Sequence, residues 1–226
     1  MTDERSKAEY DADLALKHAN IAKTRLESVE LQRKLTQAQI HDRNRTFVFS
    51  DGIVDQTVET CIEVMLNWEK LDPRPVTIKL HSGGGGVLSG FHFIDFLLDY
   101  RERVPVYIEV GGCAASMAAA VLQCATIRTA RAHSYVMIHE ASTLQSGNSR
   151  ASVAQIRDQL EVLEEFQERY ETMILGRSNI DFETLKLETK KKDWWLRADK
   201  ALELGLIDMI LEPGETVESA IATIEA

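Results

Sequence analysis

From residue 46 onward, short runs rich in β-branched and aromatic residues alternate with longer amphipathic stretches. Thr46-Phe47-Val48-Phe49-Ser50, Val76-Thr77-Ile78-Lys79-Leu80 and residues 105–110, 126–130, 135–138 and 206–211 read as strands. Residues 54–71, 88–100, 115–123, 152–174 and 198–204 read as helices; in the first of these, Val58, Cys61, Ile62, Met65 and Leu66 share one face. Strands separated by a helix cannot pair through a tight hairpin. They favour a parallel sheet, which has to be covered on both faces. The expectation is an α/β fold of repeated strand–helix units.

The first 51 residues are different, for they contain neither Gly nor Pro. Residues 7–40 are rich in Ala, Leu, Lys, Glu and Gln and predict one long helix. Tyr10, Leu14, Ile21, Leu31, Leu35 and Ala38 follow a rough seven-residue track, from which Leu26, Val29 and Ile40 depart. The expected organisation is a helical extension over residues 1–43, an α/β domain over 44–215 and a short tail over 216–226.

The formal net charge of −10 argues against a general nucleic-acid or anionic-membrane binder, which would repel such a surface. No run approaches the length needed to span a bilayer, and no apolar signal core follows the polar start. Cys61, Cys113 and Cys124 have no paired spacing, which predicts thiols of a reducing compartment rather than disulfides or a zinc site. The expected location is the cytoplasm. No metal or cofactor motif is present: the four consecutive glycines Gly83-Gly84-Gly85-Gly86 lack both the P-loop and dinucleotide-binding patterns.

Three places carry candidate chemistry. Gly111-Gly112-Cys113-Ala114-Ala115-Ser116-Met117 leads from a strand into an Ala-rich helix, placing Ser116 near unpaired backbone N–H groups. That setting suits a nucleophile whose attack creates an oxyanion, although a lone serine there is more often a packing residue. His139 ends the apolar strand Val136-Met137-Ile138, where an imidazole can serve as a base or as a structural hydrogen-bonding group. Asp193 precedes Trp194-Trp195-Leu196, whose aromatic bulk is expected to desolvate it in part.

Together these segments resemble one family, the proteolytic subunit of the ATP-dependent Clp protease. Residues 80–86, with Gly90 and Asp95, resemble its Asn-Ser-Pro-Gly-Gly segment. Residues 111–119 resemble its nucleophile motif, with Ala114-Ala115-Ser116-Met117 identical. Val136-Met137-Ile138-His139 matches its histidine motif, and Asp193 with Leu196, Ala198, Ala201, Gly205-Leu206 and Asp208 matches its C-terminal motif. The likeness extends over about residues 44–211.

The resemblance implies the Clp protease/crotonase-like superfold and a serine endopeptidase. Ser116 would be the nucleophile, His139 the base and then the acid, and Asp193 the orienting carboxylate. The backbone N–H groups of Gly85 and Met117 would form the oxyanion hole. It implies heptameric rings, paired through the handle helix of residues 152–174 into a tetradecameric chamber, which cut unfolded polypeptide. An ATPase unfoldase would be the candidate partner.

The chain departs from the family at several positions. His81 and Gly83 replace Asn and Pro, which predicts a looser glycine-rich loop, and Glu140-Ala141 replace Gln-Pro. Alignment needs an extra residue within 188–192, so Glu188 is the alternative third member. The family's short axial N-terminal loop is replaced by the predicted helix, which puts the ATPase partner in question and raises phage-type head maturation, on capsid or scaffold protein, as an alternative. The superfold also hosts enoyl-CoA hydratases, which need no such Ser–His–Asp set. A Ser–Lys dyad finds no lysine between Lys79 and Lys186. A catalytically silent ring subunit should lack one of the three residues, and all are present.

Overall fold

The computed structural model describes residues 17–18, 23–25, 44–142 and 152–224. The chain divides into two units, Met1–Asn44 and Arg45–Ala226. The long helix expected over residues 7–40 lies almost wholly outside the described residues; residues 17–18 and 23–25 are helical. The polar stretch 143–151 also lies outside them.

The second unit is an α/β layer structure in the order β1 (Thr46–Phe49), α1 (Asp55–Leu71), β2 (Val76–Ser82), α2 (Val87–Tyr100), β3 (Val106–Ala115) and α3 (Met117–Leu122). It continues with β4 (Ile127–Arg131), β5 (Tyr135–Ile138), α4 (Val153–Leu175), α5 (Phe182–Thr189), β6 (Trp194–Arg197), α6 (Ala198–Glu203), β7 (Met209–Leu211) and α7 (Val217–Ile224). Strands pair in the order β1-β2-β3-β4-β7, and β5 pairs with both β3 and β6. Every ladder is parallel except β5–β6. The predicted fold class therefore stands.

Buried Ile78, Leu80, Ile108 and Val110 form the centre of the sheet, and Trp68, Phe93, Leu97 and Tyr100 of the helices pack into the same core. Among the described residues no helix is long and apolar enough to cross a membrane. Burial pushes the Cys61 thiol far up and that of Cys124 to about 12, so both are protonated packing groups.

Three elements differ from the sequence expectation. Strand β3 does not stop at Val110 but runs through the glycines to Ala115. Its first half pairs with β4 and its second half with β5. Between the halves the register against β2 slips, with Leu80 opposite Val110 and Ser82 opposite Ala114. Gly112 makes this bulge possible: its φ is +104°, and a Cβ there would lie 2.5 Å from His81 Nδ1. The freed amides find side-chain acceptors. Gly112 N–H donates to Ser134 Oγ at 3.0 Å and Cys113 N–H to His81 Nδ1 at 3.2 Å.

The second difference is β6, an antiparallel strand on β5, which aromatic composition alone did not assign to a partner. The third is α7, formed within the segment set apart as a tail; its Val217 and Ala220 bury against Leu211.

The far end of the short helix α3 is held by a partly buried polar cluster. Arg128 pairs with Asp208 through Nη2 and through Nε at 3.1 Å, and donates to Gln123 Oε1 at 2.6 Å. Its Nη1 also reaches the carbonyls of Arg177 and Gly205, both at 2.7 Å. Burial alone would raise the Asp208 carboxyl, but the hydrogen bonds and charge of Arg128 win and hold it below the ordinary value. A depressed carboxyl stabilises the fold above its unfolded-state pKa, and that contribution is lost as pH falls through the folded one. We therefore expect stability to drop in acid below about pH 4, the unfolded carboxyl's range. Asp208→Asn should lower the neutral-pH stability by about 2 kcal/mol and flatten this acid dependence. Urea titrations of both proteins at several pH values check this.

Candidate active site

The register of three adjacent strands assembles the candidate residues. On the β3–β5 ladder Ala115 faces Met137, so Ser116 comes level with Ile138, one residue before His139, and both leave the sheet at the carboxyl ends of parallel strands. On the β5–β6 ladder Ile138 faces Trp194, so the next pair outward is His139 and Asp193. Ser116 Oγ and His139 Nε2 lie 2.7 Å apart, a hydrogen bond. His139 Nδ1 is 3.8 Å from Asp193 Oδ1, within ion-pair range but longer than a hydrogen bond.

The structure thus brings Ser116, His139 and Asp193 into one row. Glu188, the alternative carboxylate, instead pairs with Lys192 at 2.8 Å. One expectation is corrected: Asp193 is not desolvated by its aromatic neighbours, since its side chain is 55% exposed. Trp194 packs on the core, whereas Trp195 lies 52% exposed and meets Tyr135 edge-on at 6.2 Å.

Ser116 occupies an unusual backbone conformation, φ 55° and ψ −128°, at the N-cap of α3. For a non-glycine residue this costs about 1–3 kcal/mol and persists only where neighbours enforce it. Ser116 N–H donates to the Met137 carbonyl at 2.9 Å. The Ser116 carbonyl accepts from Ala119 N–H at 2.8 Å and from the Tyr170 hydroxyl at 3.3 Å. The sharp turn from strand to helix lifts Oγ out of the sheet, an arrangement suited to a nucleophile.

The glycine-rich loop closes the other side. Gly84 has φ +93°, and a Cβ on it would lie 2.7 Å from both the Ala115 carbonyl and Ser116 Cβ. Ile53 N–H donates to the Gly84 carbonyl at 2.9 Å and Gly86 N–H to the Ile53 carbonyl at 2.8 Å. Because amides alternate in direction along an extended chain, the Gly85 N–H between them points away from Ile53. Met117 N–H is the first of α3 and has no intrahelical acceptor. The loop that His81 and Gly83 were expected to loosen is in fact tied down: Gly84 N–H also reaches Ser82 Oγ at 3.2 Å, and His81 holds the bulge in β3.

Val87, Met117, Ala141, Phe166 and Tyr170 surround a cavity of about 90 Å³ that opens on Ser116, His139 and Gly85. Gly90 gives Met117 its place there, since a Cβ at 90 would lie 2.2 Å from Met117 Cγ. Sequence reasoning did not find Tyr170 or Phe166. They lie on the long charged helix α4, and no local pattern says which of its faces meets the site.

Gly84→Ala offers a direct check on this packing. The added methyl must displace Ser116 or the loop, so reactivity of Ser116 toward an acylating probe should fall by at least about tenfold. The thermal transition should still be cooperative, as a melting curve beside the labelling rate would show.

The Clp protease family model matches residues 30–214. The chain is 28% identical over 173 residues to the ATP-dependent Clp protease proteolytic subunit 1 of Prochlorococcus marinus (strain MIT 9312), covering 75% of this chain and 85% of that protein. It is 28% identical over 188 residues to the ATP-dependent Clp protease proteolytic subunit of Bacteroides thetaiotaomicron, covering 80% and 82%. To the corresponding subunit of Porphyromonas gingivalis it is 31% identical over 189 residues, covering 81% and 82%. With the family model spanning most of its length and a relative of 31% identity covering four fifths of it, this chain belongs to the Clp protease family.

Proposed function

We propose that the chain is a serine endopeptidase that cleaves unfolded or extended polypeptide, with Ser116, His139 and Asp193 as its triad. The observation that carries this reading is the 2.7 Å contact between Ser116 Oγ and His139 Nε2 at the start of α3. His139 takes the hydroxyl proton as Oγ attacks the peptide carbonyl, and the carbonyl oxygen becomes an oxyanion. The N–H groups of Gly85 and Met117 receive that charge; one such donor is worth about 3–4 kcal/mol when it already points at the oxygen. On collapse His139 passes its proton to the leaving amine, and water repeats the sequence to release the acyl group. Asp193 keeps Nδ1 of the imidazole protonated, so that Nε2 is the basic nitrogen. Val87, Met117 and Phe166 form the apolar part of a cavity wall that also carries polar groups, and that part would accept an apolar side chain on the acyl side of the cut bond.

The assembly belongs to the same reading. Helix α4 exposes Val153, Ile156 and Leu160 at more than half of their surface, on its first turns and away from the core. An apolar stripe of that kind is favourable only if covered, which agrees with the handle of a heptameric ring that pairs into a tetradecamer. The relatives carry the words ATP-dependent in their names, and an ATPase unfoldase is the partner this implies. Residues 1–43 would form a separate extension outside the protease domain of residues 44–215.

A fluorophosphonate probe should label the wild type covalently at one site, and Ser116→Ala should abolish the labelling. His139→Ala and Asp193→Asn should reduce the acylation rate by at least about a hundredfold each. A folded wild type that resists the probe would sink the peptidase reading. Light scattering should give the mass of a ring or ring pair, and a strictly monomeric species would contradict the proposed assembly.

A further inference from the structure

We infer that Tyr170 is a positioning residue for Ser116, tying its backbone to helix α4 beside His139. The inference rests on the peptidase reading and adds to it a residue outside the motifs. Tyr170 comes from the inner face of α4, where it is one of the few buried side chains, 5% exposed. Its hydroxyl donates to the Ser116 carbonyl at 3.3 Å, and its ring lines the same cavity as His139. The phenol thus restrains the residue whose placement against His139 decides proton transfer. Burial pushes this phenol far above its ordinary value, so it remains a protonated donor throughout the working range.

Two further observations make this contact functional in kind. Ser116 holds an unfavourable φ of 55°, and its carbonyl direction sets where Oγ and the Met117 N–H point. The Ala119 amide alone would hold that carbonyl as an ordinary turn; the Tyr170 bond adds a restraint from a separate element. Its neighbours on α4 extend the hold to the segment after the histidine. Ala141 N–H donates to Gln167 Oε1 at 2.5 Å. Gln167 is bonded in turn to Glu171, and buried Glu171 pairs with Lys186 at 2.7 Å. Residues 167, 170 and 171 share one helical face, so α4 grips the site at two points.

Tyr170→Phe removes the hydroxyl and keeps the ring. A fluorogenic peptide with an apolar residue before its scissile bond gives kcat and KM, and fluorophosphonate titration gives the number of competent serines. We expect kcat per titrated serine to fall roughly five- to thirtyfold with KM within about twofold, because the lost contact orients and does not bind. 4-Aminophenylalanine at position 170, which restores a donor in the same place, should recover most of the rate. A merely structural role would instead lower the titrated fraction and leave kcat per serine unchanged, and that result would overturn the inference. Rescue failing while the phenylalanine variant is slow would overturn it also. A wild type that does not react with the fluorophosphonate would fail the peptidase reading itself, which separates the two failures.

Discussion

The backbone of Ser116 is the constraint on which the rest of the site depends. Its φ of 55° and ψ of −128° are the means by which a strand becomes a helix within one residue, leaving a hydroxyl outside and an amide pointing forward. A conformation that costs about 1–3 kcal/mol relaxes unless its surroundings overdetermine it. Here the restraints come from four directions: the Met137 carbonyl on β5, the Ala119 amide within α3, the Tyr170 hydroxyl on α4, and the glycine loop packed against Cβ. Gly84 is essential to the last of these, because any side chain at that position would occupy the space of Ser116 itself.

The second requirement is that β3 serves two sheet neighbours in turn. Before its glycines it runs beside β4, and after them beside β5. Without the bulge, β3 would continue along β4, and β5 could not bring His139 next to Ser116. The bulge would be expensive if its amides were left unpaired in a half-buried site. Ser134 and His81 accept from them, and Ser134 passes its own hydroxyl hydrogen to the Val110 carbonyl at 2.8 Å. The antiparallel addition of β6 then places Asp193 opposite His139, so the row of three residues is a matter of strand register.

This division explains what the sequence could and could not disclose. Alternating strands and helices, the turn glycines and the strand before His139 are local patterns, so the α/β class and the positions of Ser116 and His139 were legible. Which strand pairs with which is a property of distant segments. Nothing local states that Trp194–Arg197 lies antiparallel on β5, and Asp193 could be favoured over Glu188 only through the register of a family motif. The bulge was hidden because glycine after a strand ordinarily ends it, and here it bends the strand without ending it. Tyr170 was hidden for a different reason. Helix α4 is charged over most of its length, and an inward aromatic on such a helix carries no mark of its target.

The geometry of the helix start also depends on the opposite end of α3. A helix of six residues has few internal hydrogen bonds and would not hold its direction unaided. All of its residues are buried, yet methyl groups of Ala118, Ala119 and Ala120 slide more easily against a core than interlocking larger side chains do. Directional bonds at the C-terminal end supply what that packing lacks. Gln123 donates to the Ala119 carbonyl at 3.2 Å and the Leu206 carbonyl at 3.3 Å, and Arg128 holds the Gln123 amide oxygen. Asp208 fixes Arg128 in turn, and Arg177 reaches the carbonyls of Gln123 and Ala125. The cluster is therefore coupled to the site through a rigid element only a few residues long: rotation at Gln123 would swing the Met117 amide, and the forward-pointing donor would lose its aim.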